Sequence, residues 1–174
     1  TWDGVVIADG HVTEIVRQEK NLSGTIPDLS PLTNLKVLRL NSNSLNGEIP
    51  DLNSLTMLEE VNLSENELSG TIPDMSGLTG LKTLYLKSNQ LSDTIPELSK
   101  LAGLRELNLS ENQLSGPIPD VKLLADLQYI DLSENQLSGE ILYLNELTGL
   151  ISLHLKGNQL SGSIPDMGNL TGLE

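Results

Sequence analysis

Chemistry in this chain would have to start from its histidines and carboxylates. There are two histidines, His11 and His154, and no cysteine, which removes thiolate nucleophiles, thiolate metal sites and disulfides. Asp131 and His154 lie 23 positions apart with Ser133 and Ser152 beside them. An acid, an imidazole and a hydroxyl in mutual hydrogen-bond range is the arrangement that activates a serine. No HExxH, metal-spaced ligand cluster or phosphate loop accompanies them, and an open surface lacks the oxyanion donors and water exclusion that acyl transfer needs. The expectation is therefore a surface pair between Asp131 and His154, no catalytic residue, no metal site and no cofactor. A second set of acids, Asp28, Asp51, Asp74, Glu97, Asp120 and Asp166, each follows a proline. Such a row either accepts the backbone N–H groups of a following turn or shares a cation. A third set, Arg39, Tyr85, Lys87, Asn108, Tyr129, Asp131 and His154, includes the types enriched at binding hot spots. A fourth, Leu123, Leu142 and Tyr143, is apolar where the equivalent positions of other units are not, and is either a lateral contact patch or local repacking of an imperfect repeat.

What positions these residues is a repeat. Asparagine recurs at Asn43, Asn66, Asn89, Asn112, Asn135 and Asn158, every 23 residues without insertion. On the same period stand Leu35 to Leu150, Leu38 to Leu153 and Leu40 to Leu155, so each unit reads LxxLxLxxN. Apolar residues two apart indicate a short strand with one buried face. A single unit of this length cannot bury its leucines, so units must stack and cover one another. The strands then run in parallel, and the asparagines form a buried ladder that satisfies backbone groups of the adjacent coil. The glycines at 24, 47, 70, 116, 139 and 162 fall at one place in the coil, a position of positive φ that Asp93 must also adopt.

The motif LxxLxLxxNxLSGxIPDxxxLxxL, in runs such as LRLNSNSLNGEIP and LNLSENELSGTIP, resembles the plant-type leucine-rich repeat, here as a cysteine-free variant with 23-residue coils. The opening TWDGVVIADGHVTEIV resembles the end of the cap that precedes such repeats, with Ile7 standing roughly where that cap has a cysteine. The resemblance implies an α/β-type repeat solenoid, right-handed and curved, with a parallel β-sheet on the concave face and short turns or 3-10 segments on the convex side. Residues 1–20 are then the end of the cap and a first atypical strand, where Arg17 replaces a core leucine and Lys20 a ladder asparagine; residues 21–174 are the solenoid. It also implies a binding surface on the concave sheet, whose middle column is Arg39, Asn62, Tyr85, Asn108, Asp131 and His154.

The chain carries 24 acidic and 10 basic side chains, a formal charge of −14, so its field repels a phosphate backbone and favours basic partners. No apolar run approaches a membrane span, and the sequence opens at Thr1 on no signal-like stretch, so any targeting segment is expected to have been removed or to lie outside it. At the other end Leu173 would begin a further LxxL strand, leaving an uncapped edge that either a continuing chain or a second copy would cover. The reading that follows is a non-catalytic recognition module for a protein, peptide or glycan, with extracellular or cell-surface placement by resemblance alone. The alternatives are a secreted enzyme inhibitor, an ice-binding protein, and a structural or engineered scaffold without a ligand. The column Thr25, Glu48, Thr71, Thr94, Pro117, Glu140 and Ser163 is too irregular for an ice lattice. Sequons at Asn21, Asn62, Asn108 and Asn169 arise readily from the repeat itself.

Overall fold

The computed structural model describes residues 3–141 and 144–173. The chain opens on an antiparallel hairpin, β1 (Val5–Ala8) and β2 (His11–Val16). Asp9 and Gly10 both have positive φ, 50° and 79°, the geometry of a two-residue type I′ turn. From β2 onward the strands pair in parallel: β4 (Val37–Arg39), β6 (Glu60–Asn62), β8 (Thr83–Tyr85), β10 (Glu106–Asn108), β12 (Tyr129–Asp131) and β14 (Ser152–His154). In each from β4 to β12 the central residue is buried and its two neighbours are half-exposed, as period-two alternation requires.

A second parallel sheet, unforeseen in the sequence, runs along the adjacent side of the coil. It consists of β3 (Ser23–Thr25), β5 (Ser44–Gly47), β7 (Glu67–Thr71), β9 (Gln90–Thr94), β11 (Gln113–Gly116), β13 (Gln136–Glu140) and β15 (Gln159–Ser161). β5 and β11 stop one residue before β7, β9 and β13 do, ahead of Glu48 and of Pro117, which has no N–H to give the ladder. The convex side is made of consecutive turns rather than helix. In the third coil Leu78 N donates to Met75 O at 2.9 Å and Leu81 N to Leu78 O at 3.0 Å, and all three of these apolar side chains are buried. One such segment, Leu144–Glu146, is a 3-10 turn.

The asparagine ladder is built as the period demands. Asn89 Oδ1 accepts from Leu68 N at 3.0 Å, and its Nδ2 donates to Leu63 O, Leu86 O and Lys87 O at 3.1–3.3 Å. One amide thus ties its own coil to the one before. Asn66, Asn112 and Asn135 repeat the pattern, all buried, while Asn43 and Asn158 at the ends are half-buried. At Arg17 the coil departs from leucine: the guanidinium reaches back to Asp3 O at 2.6 Å, and an apolar hollow of about 620 Å³ remains between the hairpin and the first coil. In the last coil Leu153, Leu155 and Leu160 are only half-buried and Ile164 is 83% exposed.

Two backbone columns are left-handed. The glycine column has φ from 73° to 87°, with Asp93 at 64° in its fourth place. The residue before each ladder asparagine is left-handed as well, at Ser42, Glu65, Ser88, Glu111, Glu134 and Gly157, although only Gly157 is of a type that favours this region.

Two stability predictions follow from these columns. Asn89→Ala strands the buried Leu68 N–H and neighbouring carbonyls and is expected to cost roughly 2–4 kcal/mol in urea unfolding, more than Asn158→Ala at the half-buried end. Asp93→Gly relieves a strained, exposed side chain and is expected to raise stability by about 1 kcal/mol; a melting temperature equal to or below the parent's would refute it.

Candidate ligand-binding face

On the concave sheet the residues flanking each buried centre point to solvent, so register sets which side chains meet. Arg39 on β4 lies diagonally from Glu60 on β6, and its Nε and Nη2 donate to the two carboxylate oxygens at 2.5 and 2.6 Å. This bidentate pair holds the guanidinium above its usual pKa through the hydrogen bonds to Glu60. Farther along, the Tyr85 hydroxyl on β8 donates to Glu106 Oε2 on β10. Tyr129 on β12 donates its hydroxyl to Asp131 Oδ2 at 3.3 Å and packs its ring against His154, centroids 5.8 Å apart and tilted by 54°. Burial, then the carboxylate of Asp131 and, more weakly, that of Glu106, raise the Tyr129 phenol above its ordinary pKa. Tyr85, Glu106, Gln128, Tyr129, Ile151 and Ser152 line an open depression of about 280 Å³.

The predicted contact between Asp131 and His154 does not form. Their Cα positions do pair across β12 and β14, but Asp131 Oδ1 accepts from Ser133 N at 3.0 Å and Ser133 Oγ at 2.6 Å. His154 Nε2 instead meets Ser152 Oγ at 2.8 Å. The nearer donors two residues along the chain win over a neighbour on the next strand, as they do at Asn62 and Asn108, which accept from Ser64 N and Ser110 N. These residues therefore close the strand end, and Asp131 and His154 share no proton. Lys87 and Lys156, on the flank of the face, pair with Glu111 at 3.2 Å and Glu134 at 3.5 Å. The Ser88 hydroxyl, then Lys87, lower the pKa of Glu111.

The acids after the prolines serve their own turns. Asp28, Asp51, Asp74, Asp120 and Asp166 each accept the backbone N–H two residues on at 2.8–3.0 Å. Glu97, one methylene longer, makes no such bond. Among the described residues no three His, Asp or Glu side chains gather as metal ligands. Leu123 is exposed at 57%; its expected companions Leu142 and Tyr143 lie outside the described residues.

Sequence profiles described as "Leucine Rich Repeat" match residues 34–54, 57–77, 126–145 and 149–170, and one described as "Leucine Rich repeats (2 copies)" matches 79–123. The chain belongs to the leucine-rich-repeat family. Among solved leucine-rich-repeat structures it is similar to PEPR1-AtPEP1, at 33% identity and a TM-score of 0.95 over 99% of this chain and 25% of that one. It is similar also to the ectodomain of the membrane receptor kinase GASSHO1/SCHENGEN3 of Arabidopsis thaliana, in complex with CASPARIAN STRIP INTEGRITY FACTOR 2, at 38% identity and TM-score 0.87, over 90% of this chain and 20% of that one. Pollen Receptor Kinase 3 matches at 38% identity and TM-score 0.82, over 93% of this chain and 82% of that one. This leucine-rich-repeat chain thus spans a fifth to a quarter of the first two. No curated protein matches it in sequence.

The turn acids generate a pH prediction. Asp28 and Asp74 are lowered below 3.8 first by the backbone N–H and then by the hydroxyl of Ser30 or Ser76, and Asp120 first by Lys122. A depressed folded pKa means a contribution present above the unfolded value and lost as pH falls through the folded one. Replacing all three by Ala is therefore expected to lower thermal stability at pH 7, with the deficit against the parent shrinking below about pH 4. Melting curves across that range decide it, and a deficit independent of pH would show that the carboxylate charge contributes nothing.

Proposed function

We propose that this chain is a non-catalytic recognition module which binds an extended peptide or protein segment along its concave sheet, as part of a receptor-like protein at the cell surface. The observation that carries this reading is the placing of Tyr85 and Tyr129 at one depression on that sheet, with His154 packed against the Tyr129 ring. Aromatic rings supply contact area at low entropic cost and dominate binding hot spots. Support comes from the similar ectodomain of GASSHO1/SCHENGEN3, which is in complex with CASPARIAN STRIP INTEGRITY FACTOR 2. The formal charge of −14 steers a basic ligand towards the chain. A peptide fits the row of strand ends better than a glycan does, since many of the hydroxyl and amide groups there are already engaged in their own turns.

A second reading, self-association through the last coil, is favoured by the exposed Ile164 and the half-buried Leu153 and Leu155. Sedimentation of the purified chain separates it from the first.

Replacing Tyr85, Tyr129 and His154 together by Ala removes the proposed contacts while leaving every ladder asparagine and core leucine in place. In selections from a displayed library of random linear peptides, the parent is expected to enrich shared motifs. The triple variant is expected to bind those peptides at least about tenfold more weakly, with little change in melting temperature. Equal binding by the variant would end the concave-face reading.

A further inference from the structure

Because the coils repeat without insertion, the chain contains its own comparison for every concave position. Glu60 and Glu106 occupy the same place in the strand, two coils apart. The residue that reaches Glu60 stands 21 positions before it and is Arg39, which grips both carboxylate oxygens. The residue that reaches Glu106 stands at the same offset of 21 and is Tyr85, which gives a single hydroxyl bond to Oε2. Where the first carboxylate holds a guanidinium, the second holds a phenol and has no ion pair among the described residues. In the column just before the strand, Lys82 and Arg105 are followed by Gln128 and Ile151, and these two uncharged residues line the depression.

The surroundings of Glu106 differ from those of Glu60 in a second way. Tyr129 pairs with Glu106 across β10 and β12 while the Tyr85 hydroxyl reaches its carboxylate, and all three residues line the 280 Å³ depression. In the corresponding direction Glu60 meets Thr83, which offers no ring. Tyr129 in turn carries Asp131 at its hydroxyl, adding a second negative charge at the rim. A half-buried carboxylate flanked by aromatic faces is matched by a flat cation, which pairs with the acid through its edge and stacks through its plane.

We propose that this depression is the seat of an arginine side chain from the ligand, with Glu106 as its counter-ion and the rings of Tyr85 and Tyr129 as its walls. The proposal rests on the reading of the concave sheet as the ligand face. Arginine fits better than lysine because the Arg39–Glu60 pair shows that this strand position accepts a guanidinium bidentately, and a compact ammonium stacks less well on a ring.

The test uses N-acetyl-arginine amide as probe and N-acetyl-citrulline amide as its uncharged isostere, with amide shifts of the whole chain as readout. The arginine probe is expected to shift β8, β10 and β12 saturably, and the citrulline probe to leave them unmoved. Glu106→Gln is expected to weaken the arginine shifts at least about tenfold, the worth of one lost charge-assisted pair. Tyr85→Arg is the sharper variant, since it rebuilds the Arg39–Glu60 arrangement two coils along. It keeps Glu106 but fills the seat from within, and is expected to abolish the shifts while the other strands retain the parent spectrum. Equal response to both probes, or arginine shifts that survive either substitution, would overturn the seat. Should the displayed peptides bind the parent and fail on the triple variant while the arginine probe leaves β8–β12 unmoved, the seat falls and the concave face stands. Shifts at β8–β12 without any peptide enrichment would leave the arginine seat standing and remove the peptide reading.

Discussion

The structure depends on one side-chain amide in each coil. A strand of three residues ends before its hydrogen-bond ladder is complete, and the chain must then leave the sheet without stranding buried N–H and carbonyl groups. The ladder asparagine resolves this by bonding its own coil and the preceding one together. To present that amide inward the chain has to turn within a single residue, and that residue is left-handed in every inner coil. Each such conformation costs a non-glycine residue on the order of 1–2 kcal/mol. It persists because the buried amide bonds would be lost otherwise. The same amide fixes the offset between neighbouring coils, and that offset decides which exposed side chains become neighbours on the concave face.

This explains what was legible in the sequence. A period of 23 without insertion revealed the parallel strands, the ladder, the glycine column with its Asp93 exception and the turn acids, because each has a single structural cause repeated at one position. The second sheet escaped because its strands are three to five residues long and include glycine, so they read as turns. The hairpin at Asp9 and Gly10 carried an evident turn pair, yet it stands outside the 23-residue period and its β1 strand is largely exposed, so no column declared it. The second left-handed column was not legible in its Ser and Glu members, since neither type marks that conformation; Gly157 is its one member that does.

The candidate face was legible by position and not by contact. Column arithmetic placed Asp131 opposite His154 correctly, but hydrogen bonds went to donors two residues away along the chain. Diagonal contacts escaped for the complementary reason. Arg39 with Glu60 and Tyr85 with Glu106 join neighbouring columns, and long side chains reach diagonally across a sheet where a column-by-column reading looks only straight across. The electrostatic balance follows from the same geometry. Six cations, Arg17, Arg39, Lys82, Lys87, Lys122 and Lys156, are taken up by acids of the chain itself. Such exposed pairs contribute little stability, but they leave the excess acids to set the field that an approaching ligand meets.

A strict repeat also separates what the fold needs from what the surface offers. Leucine, asparagine and the left-handed positions recur because every coil has the same packing problem. Arg39 and Tyr85 share a position whose outward side chain the core does not touch, and each satisfies the same diagonal carboxylate. The fold accommodates both alike. The consequence of choosing one over the other is therefore confined to solvent: the first closes its carboxylate with a charge of its own, and the second leaves a negative group between aromatic walls. On a surface whose backbone is identical from coil to coil, the exchange of a single residue type is enough to turn a closed ion pair into an open one.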